Sequence, residues 1–548
     1  MHKYTGRKAL AALMILTILL LTSCSATGPK PDTAVPTTSA AVDYSRYLTF
    51  VEDEPDTLDF QCTTLHYTVA LNVFDRLAEM EQDAEGQTRV VPSLAERWEI
   101  SEDSLRYTFH LRPGVKFSNG CELTAEDVQY TLERMLTLSD SRSKEIALEI
   151  AGAAQLAAGR TDRLAGFIRE SDLDFTIVLD EPFPGFLAIL TTPAASILDQ
   201  ETVLEAGARF GKEAEWTVGT GSFILREWDK GKDMTLDANR DCWKGAPGCD
   251  GLRIRYLTDA ADLRMYFEDG ELDILNLDGM GDDAEYFYHG DIYQEHLYQV
   301  PHVDLAYIAL NASIKPLDDV RVRKALQLGL NRQVLLDAAY AGRGQLENGI
   351  FPHGLEGFNP DAEDLGYDPE KAKELLAEAG YADGFDLPVT VRAAAGANQR
   401  QMMEMAASMW KKIGVRATVT VIDETEYMNK RGRGALACYT GTWAADYNDP
   451  DNFIYTFFGS AENTKYRSLY YADEDVMARV RAARTIQDRE ERIREYRALE
   501  KRIVAEDAAW IPLFSRTYGY VTADRVKNFT TDWNGWYTPN LMNFTLEE

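Results

Sequence analysis

A mixed α/β fold of several structural units is what this sequence predicts, and three observations carry the expectation. With 548 residues the chain has room for three or four units of about 150 residues each. Stretches of apolar alternation mark half-buried strands, and capped amphipathic stretches mark helices. The two kinds interleave without an internal repeat, which excludes a solenoid and an all-β sandwich. Hydrophobic residues make up 45% and charged residues 27%, too apolar a composition for a disordered chain. Asp and Glu number 89 against 57 Lys and Arg, a formal net charge of −32. That balance argues against nucleic acid or an anionic membrane surface as the main partner.

The elements follow in chain order. Lys3, Arg7 and Lys8 precede an uncharged run from Ala9 to Leu21. Such a run fits the apolar region of a signal peptide and is shorter than the ~20 residues that span a bilayer. It ends in Leu21-Thr22-Ser23-Cys24, which resembles the bacterial lipobox. That resemblance implies a signal peptide over 1–23, lipidation of Cys24, and a body held at the cell membrane outside the cytoplasm. Residues 24–43 are rich in Ser, Thr, Pro and Ala and read as a flexible tether. Tyr107, Phe109 and Leu111 alternate in RYTFHL, as do Phe175, Ile177 and Leu179 in DFTIVL, and both read as strands. Thr124 N-caps a helix that turns Val128, Leu132, Met135 and Leu136 to one side. VDLAYIALN (303–311) reads as a buried strand, followed by one helix from about Asp319 to Tyr340. Asp368-Pro369 opens a further helix that buries Leu375, Leu376 and Ala379 and closes at Gly380.

Besides Cys24 the chain holds Cys62, Cys121, Cys242, Cys249 and Cys438, an odd number, so at least one stays free. Cys242 and Cys249 bracket the turn-rich WKGAPG; a local disulfide and two separate thiols are both open. Neither CxxC nor a Cys/His cluster points to zinc, and His289 and His296 are spaced for one helix face without further ligands. No phosphate loop, nucleophile elbow, HExxH or GxGxxG is present, so neither an enzyme nor a cofactor is expected.

Several segments together resemble one family. VVPSLAERWEISEDSLRYTFHLRPGVKFSNGCELTAEDVQYTLERM (90–135) looks like the N-terminal signature of family 5 of the extracellular solute-binding proteins, the peptide- and nickel-type receptors of ABC importers. VGTGSFILREWDKGKDMTLDANRDCWKG (218–245), LNASIKPLDDVRVRKALQLGLNRQVLLDAAYAG (310–342) and YDPEKAKELLAEAGYADG (367–384) are similar to later family segments, in family order. The resemblance implies a two-lobed periplasmic-binding-protein-like fold of class II type, with three domains and a hinged cleft between lobes. Mapped onto this chain, domain I takes 44–89, 190–303 and 522–548, domain II takes 90–189, and domain III takes 304–521. The crossover segments, and hence the hinge, fall on 303–311 and on Tyr518 to Val521.

TGTWAADYNDPDNF (440–453) resembles the WxADYxxP segment of oligopeptide-binding proteins, which implies that Asp446 holds a peptide α-ammonium. The physical case is separate: burying an ammonium in a closing cleft is costly unless a carboxylate accepts its hydrogen bonds. Asp446 and Asp449 also suit a turn before Pro450. Thr442 and Ala444, on either side of Trp443, are expected to hold the ligand main chain as an added strand. Trp443, Tyr447 and Tyr518 are expected to line the cleft, with Phe514, Tyr520, Glu52 and Glu54 as further candidates. Some relatives carry Arg three residues before the tryptophan, where it meets a ligand carboxylate; here Thr440 stands there, with Arg431 and Arg433 nearby. The implied partners are a peptide, an ABC permease with its ATPase subunits, and the membrane through the N-terminal lipid, for a monomeric chain. The same fold also leaves open a nickel chelate, haem or sugar as ligand, or a role as peptide-signal receptor.

Overall fold

The computed structural model describes residues 43–547 apart from Leu65, Ala84 and Glu85. The expected signal peptide, Cys24 and the tether up to residue 42 lie outside the described residues. Within them, apolar alternation becomes strand where it is expected. Arg106–Leu111 buries Tyr107, Phe109 and Leu111 and is flanked by Ala95–Ile100 and Asp174–Val178. Phe167–Arg169 completes this four-stranded antiparallel sheet. The helix Ala125–Thr137 starts at a capping box: Thr124 Oγ1 accepts from the Glu126 N–H, and the Asp127 carboxylate accepts from the Thr124 N–H at 2.9 Å. Its apolar side joins the sheet in one core built from residues 77–197.

Apart from two two-stranded ribbons, Ala78–Gln82 with Thr88–Pro92 and Val526–Lys527 with Thr545–Leu546, the remaining strands form a larger sheet. Val415–Ile422, Phe385–Arg392, Cys438–Ala444, Asp304–Leu310 and Trp510–Thr522 run in that order on one side. Ile274–Asn276, Tyr47–Val51, Gly251–Arg255, Asp233–Ala238 and Phe223–Asp229 continue it on the other. Trp510–Thr522 is common to both sides. Its first part pairs with Asp304–Leu310 and Gly344–Leu346, its last part with Ile274–Asn276 and Leu297–Pro301. Asp304–Leu310 is buried at every residue, as a continuous apolar strand packed on both faces should be. Separate cores fill the two halves, one between residues 48 and 74, 198 and 274, and 518 and 544, others between 303 and 514 together with Trp533.

One expectation is corrected, and one open alternative resolves to separate thiols. The helix expected from Asp319 to Tyr340 is two helices, Val320–Leu328 and Arg332–Tyr340. Asn331 makes the break, its side chain accepting from the Val334 N–H at 3.2 Å and so starting a second helix. Both pieces then bury leucines in one core, Leu326 from the first and Leu335 and Leu336 from the second. Cys242 and Cys249 are not joined; each is a buried thiol with its own partner. Cys242 Sγ lies 3.7 Å from Ser222 Oγ, and Cys249 Sγ donates to the Gly251 carbonyl at 3.3 Å. Trp243 and Lys244 fix the intervening turn by bonding to Asp75, each at 2.8 Å. Asp368 caps Pro369–Glu378 as expected, accepting from the Lys371 N–H at 2.9 Å.

The GTG segment has a packing reason. The chain at Gly219 and Gly221 presses on the end of the helix Thr68–Val73, and the Gly221 N–H donates to the Val73 carbonyl at 2.9 Å. A Cβ on Gly219 would sit 2.0 Å from that same oxygen, a backbone atom that cannot swing aside. Gly219→Ala is therefore expected to cost about 1–3 kcal/mol of stability, read as a lower urea midpoint at unchanged slope. A shift below about 0.5 kcal/mol, the range of indifferent surface changes, would show that this contact is not tight.

Candidate functional site

Thr442, Trp443 and Ala444 close the strand Cys438–Ala444, facing Ala306, Leu305 and Asp304 across an antiparallel ladder. The other edge of this strand pairs with Phe385–Arg392 at Cys438 and Tyr439. From Thr440 to Ala444 that edge meets no strand among the described residues. Alternate N–H and C=O groups of such an edge point away from the ladder; Gly441 to Ala444 reach the surface in part, whereas Thr440 is buried and its carbonyl accepts from the Tyr427 hydroxyl at 3.5 Å.

The chain then turns through three carboxylates that differ in one respect. Asp449 accepts from both terminal nitrogens of the Arg492 guanidinium, at 2.6 and 2.7 Å, with both side chains buried. Asp451 accepts from Arg484 Nε at 2.9 Å. Asp446 has no cation in contact among the described residues. Its Oδ2 accepts from Asn452 Nδ2 at 3.0 Å, and Asn452 Oδ1 accepts from the Asp446 N–H at 3.1 Å and from Trp443 Nε1 at 3.3 Å. One amide thus fixes both the carboxylate and the indole. Asp446 is open to water, yet surrounding protein displaces enough solvent to push its pKa up, against the Asn452 hydrogen bond and the charge of Arg467. A side chain that water reaches while protein encloses it lies in a cleft.

The far wall comes from the other half of the molecule. Tyr67 and Glu145 both feel the Asp446 charge. Burial is the main cause that pushes the Glu145 carboxyl up to about 7, with Asp446 adding to it and Arg467 opposing. The Tyr67 hydroxyl donates to the Thr63 carbonyl at 3.0 Å. The halves also touch directly. Arg484 bridges Asp451 to Glu149, 2.9 Å from each, and lies over the rings of Tyr455 and Phe183. Asn448 Nδ2 donates to Thr88 Oγ1 at 2.6 Å.

The other expected contacts are placed as follows. Tyr447 is buried and joins the core of residues 77–197, so its ring ties the halves together, which corrects its expected place on the cleft wall. Tyr518 is buried against His302, ring centroids 3.7 Å apart. It borders a cavity of about 270 Å³, with Asp278, Tyr288 and Arg343, that includes neither Asp446 nor Trp443. Phe514 and Tyr520 are core residues. Glu52 accepts from Thr68 Oγ1 at 2.6 Å, and burial pushes its pKa up to about 7; Glu54 accepts from the Gly231 N–H at 3.1 Å on the surface. Thr440 is buried, its hydroxyl donating to the Tyr307 carbonyl at 3.2 Å. Arg433 is exposed, whereas Arg431 is half-buried between Tyr427 and Tyr466. His289 and His296 contact Glu285 and Asp524 separately, and no metal-binding group occurs among the described residues. Sequence reasoning missed Tyr67, Glu145 and Arg467, which come from three distant segments without a motif.

Glu145 supplies a test of the enclosure. A carboxyl with a raised folded pKa contributes stability below its unfolded value near 4.5, and loses it as pH rises toward 7. The ligand-free protein should therefore lose part of its stability across that window, and Glu145→Gln should flatten the profile in denaturation series at successive pH values. A Glu145 titration near 4.5 by NMR would mean that the gap is open to bulk water.

The geometry can now be set beside known proteins. The model of bacterial extracellular solute-binding proteins, family 5, middle, matches residues 89–465. A dipeptide-binding protein of Escherichia coli is 30% identical over 489 residues, 84% of this chain and 89% of its own. Heme-binding protein A of Haemophilus influenzae is 30% identical over 471 residues, covering 83% of this chain and 84% of its own. Among solved structures, the dipeptide-binding protein from Pseudoalteromonas sp. SM9913 in complex with Met-Leu superposes with a TM-score of 0.78 at 23% identity, over 91% of this chain and 100% of its own. That likeness shows the two-lobed periplasmic-binding-protein fold. On the family match and these relatives, the chain belongs to family 5 of the bacterial extracellular solute-binding proteins.

Proposed function

We propose that this protein captures peptides in the cleft between its halves and delivers them to the permease of an ABC importer. The observation that carries the reading is Asp446: the one carboxylate of the 446–451 turn left without a cation, fixed by Asn452 and open to the cleft. A peptide α-ammonium supplies the missing charge, and each charged hydrogen bond is worth about 1.5–3 kcal/mol. Thr442 and Ala444 hold the ligand main chain along the free strand edge, with Trp443 as a pocket wall. Main-chain pairing ignores side-chain identity, which suits a receptor of many sequences. Relatives named as dipeptide- and di/tripeptide-binding proteins support the ligand class. Closure is a population shift driven by contacts to both halves. The hinge lies where 303–311 and the strand Trp510–Thr522 cross between domains bounded as the family resemblance implies.

Calorimetry with free and N-acetylated peptides tests the anchor. Asp446→Asn is expected to weaken free-amine peptides more than tenfold with the thermal transition unchanged. Equal affinity for acetylated and free peptides would remove Asp446 from the role.

Lipid anchoring belongs to the same proposal. Cys24 takes the lipid after removal of residues 1–23, and no helix among the described residues is long and apolar enough to cross a membrane. Cys24→Ser should abolish labelling by a clickable palmitate analogue in bacterial cells and move the protein out of the membrane fraction. Persistent labelling would refute the lipobox.

A further inference from the structure

Beside the anchor turn, one cation joins the halves of the molecule. Arg484 follows the helix Glu474–Ala483, in the half that carries Asp446. Its Nε donates to Asp451 Oδ1 and its Nη2 to Glu149 Oε1, each at 2.9 Å. Asp451 opens the helix Asp451–Phe458 of the same half. Glu149 lies between Ala147 and Ile150 of the core of residues 77–197 and comes from the opposite half. The guanidinium also lies over two rings, 3.8 Å from the centroid of Tyr455 on its own side and 4.7 Å from that of Phe183 on the other. One planar fork thus holds a carboxylate and a ring from each half.

The two ends of this bridge are unequal. Asp451 is buried and also accepts from the Tyr496 hydroxyl at 3.3 Å. Taking Arg484 away would strand that charge in the core, so the guanidinium stays with Asp451 whatever the separation of the halves. Glu149 is half-buried, and Arg484 is the one hydrogen-bond donor to its carboxylate among the described residues. When the halves part, Glu149 returns to water while Arg484 keeps its place. Closing exchanges that hydration for a charge-assisted hydrogen bond and a second aromatic face. The approach is close at this point: a Cβ on Gly185, two residues after Phe183, would stand 3.1 Å from Asp449 Oδ2 of the turn.

We propose that Arg484 is a positioning residue that latches the halves: carried ready on Asp451, it engages Glu149 on closure and slows the reopening of the cleft. This rests on the reading of the cleft as a peptide site. The latch acts on closure and not on recognition, since the Asp446 carboxylate is held by Asn452 and by neither partner of the bridge. Every peptide enclosed in the cleft is therefore retained by it alike, with or without a free ammonium.

The test is Glu149→Gln, which keeps the shape of the side chain and removes its charge. Stopped-flow binding of Ala-Ala-Ala and of its N-acetylated form reads association and dissociation separately. Dissociation of both is expected to speed up about tenfold, with association changed less than about threefold and the thermal transition unmoved. Arg484→Lys leaves a charge for Asp451 but cannot span both carboxylates. It should speed dissociation as Glu149→Gln does, and the double variant should be no faster than either single one. An unchanged dissociation rate in Glu149→Gln, or increases that multiply in the double variant, overturns the latch. A lowered thermal transition in Glu149→Gln also overturns it, by making the pair a tie of the fold itself. A loss confined to the free-amine form would place Glu149 in recognition and overturn it too. Should neither form bind the wild type, the peptide reading falls, and small-angle X-ray scattering of the ligand-free protein decides the latch alone. A larger radius of gyration in Glu149→Gln than in the wild type supports it, and an equal one removes it.

Discussion

Both halves of the molecule depend on one strand that changes partners along its length. Trp510–Thr522 finishes the sheet of one half with its first residues and that of the other with its last. At the changeover Arg516 binds Asp304 through Nε and Nη2, each at 3.1 Å, while the Arg516 N–H donates to the same carboxylate at 2.9 Å. Asp304 opens the second strand at the joint, and Asp278 of the opposite half approaches Arg516 at 3.3 Å. Burial pushes the Asp304 carboxyl up against the pull of the Arg516 guanidinium, and the Asp304 charge holds that guanidinium up in turn. Removing one member of such a buried pair typically costs about 3–5 kcal/mol, chiefly because the survivor is stranded. The joint is therefore stiff in register, and the looser ties between halves lie at the cleft: Asn448 to Thr88 and Arg484 to Glu149.

Much of this arrangement was legible from sequence because it is local. Thr124 and Asp368 cap helices with their own side chains, and the alternation in 106–111 needs only its own residues to show a buried face. The failures were competitions between local signals or consequences of long-range contact. Asn331 sits inside an apolar pattern that continues across it, and its cap outweighed continuity. Cys242 and Cys249 left a bridge and two thiols equally open, and contacts to Asp75, far away in sequence, hold the turn between them. Tyr447 belongs to a motif that suggested a ligand contact, whereas its ring is taken up by the core of the opposite half.

The acidic turn shows why the site itself was only partly legible. Asp446, Asp449 and Asp451 are equivalent in composition, and turn chemistry explains all of them equally well. What separates them is which arginine reaches which carboxylate. Arg484 and Arg492 arrive from the helices Glu474–Ala483 and Arg489–Lys501 and their ends, more than thirty residues downstream. Their pairing neutralises two of the three and leaves Asp446 to the cleft.

The same accounting extends across the cleft to the groups that face Asp446. Asp446 and Glu145 make one region acidic, and Arg431 and Arg467 make the neighbouring region basic, with Trp443 between. In an enclosed space with little water, reversing a ligand that carries both charges brings like charges together at both ends. On the proposed reading charge sets orientation, while the edge from Gly441 to Ala444 would pair with ligand main chain whatever its side chains. On that proposal, selectivity for charged groups and tolerance of side chains would come from two separate physical devices on the same seven-residue strand and the turn after it.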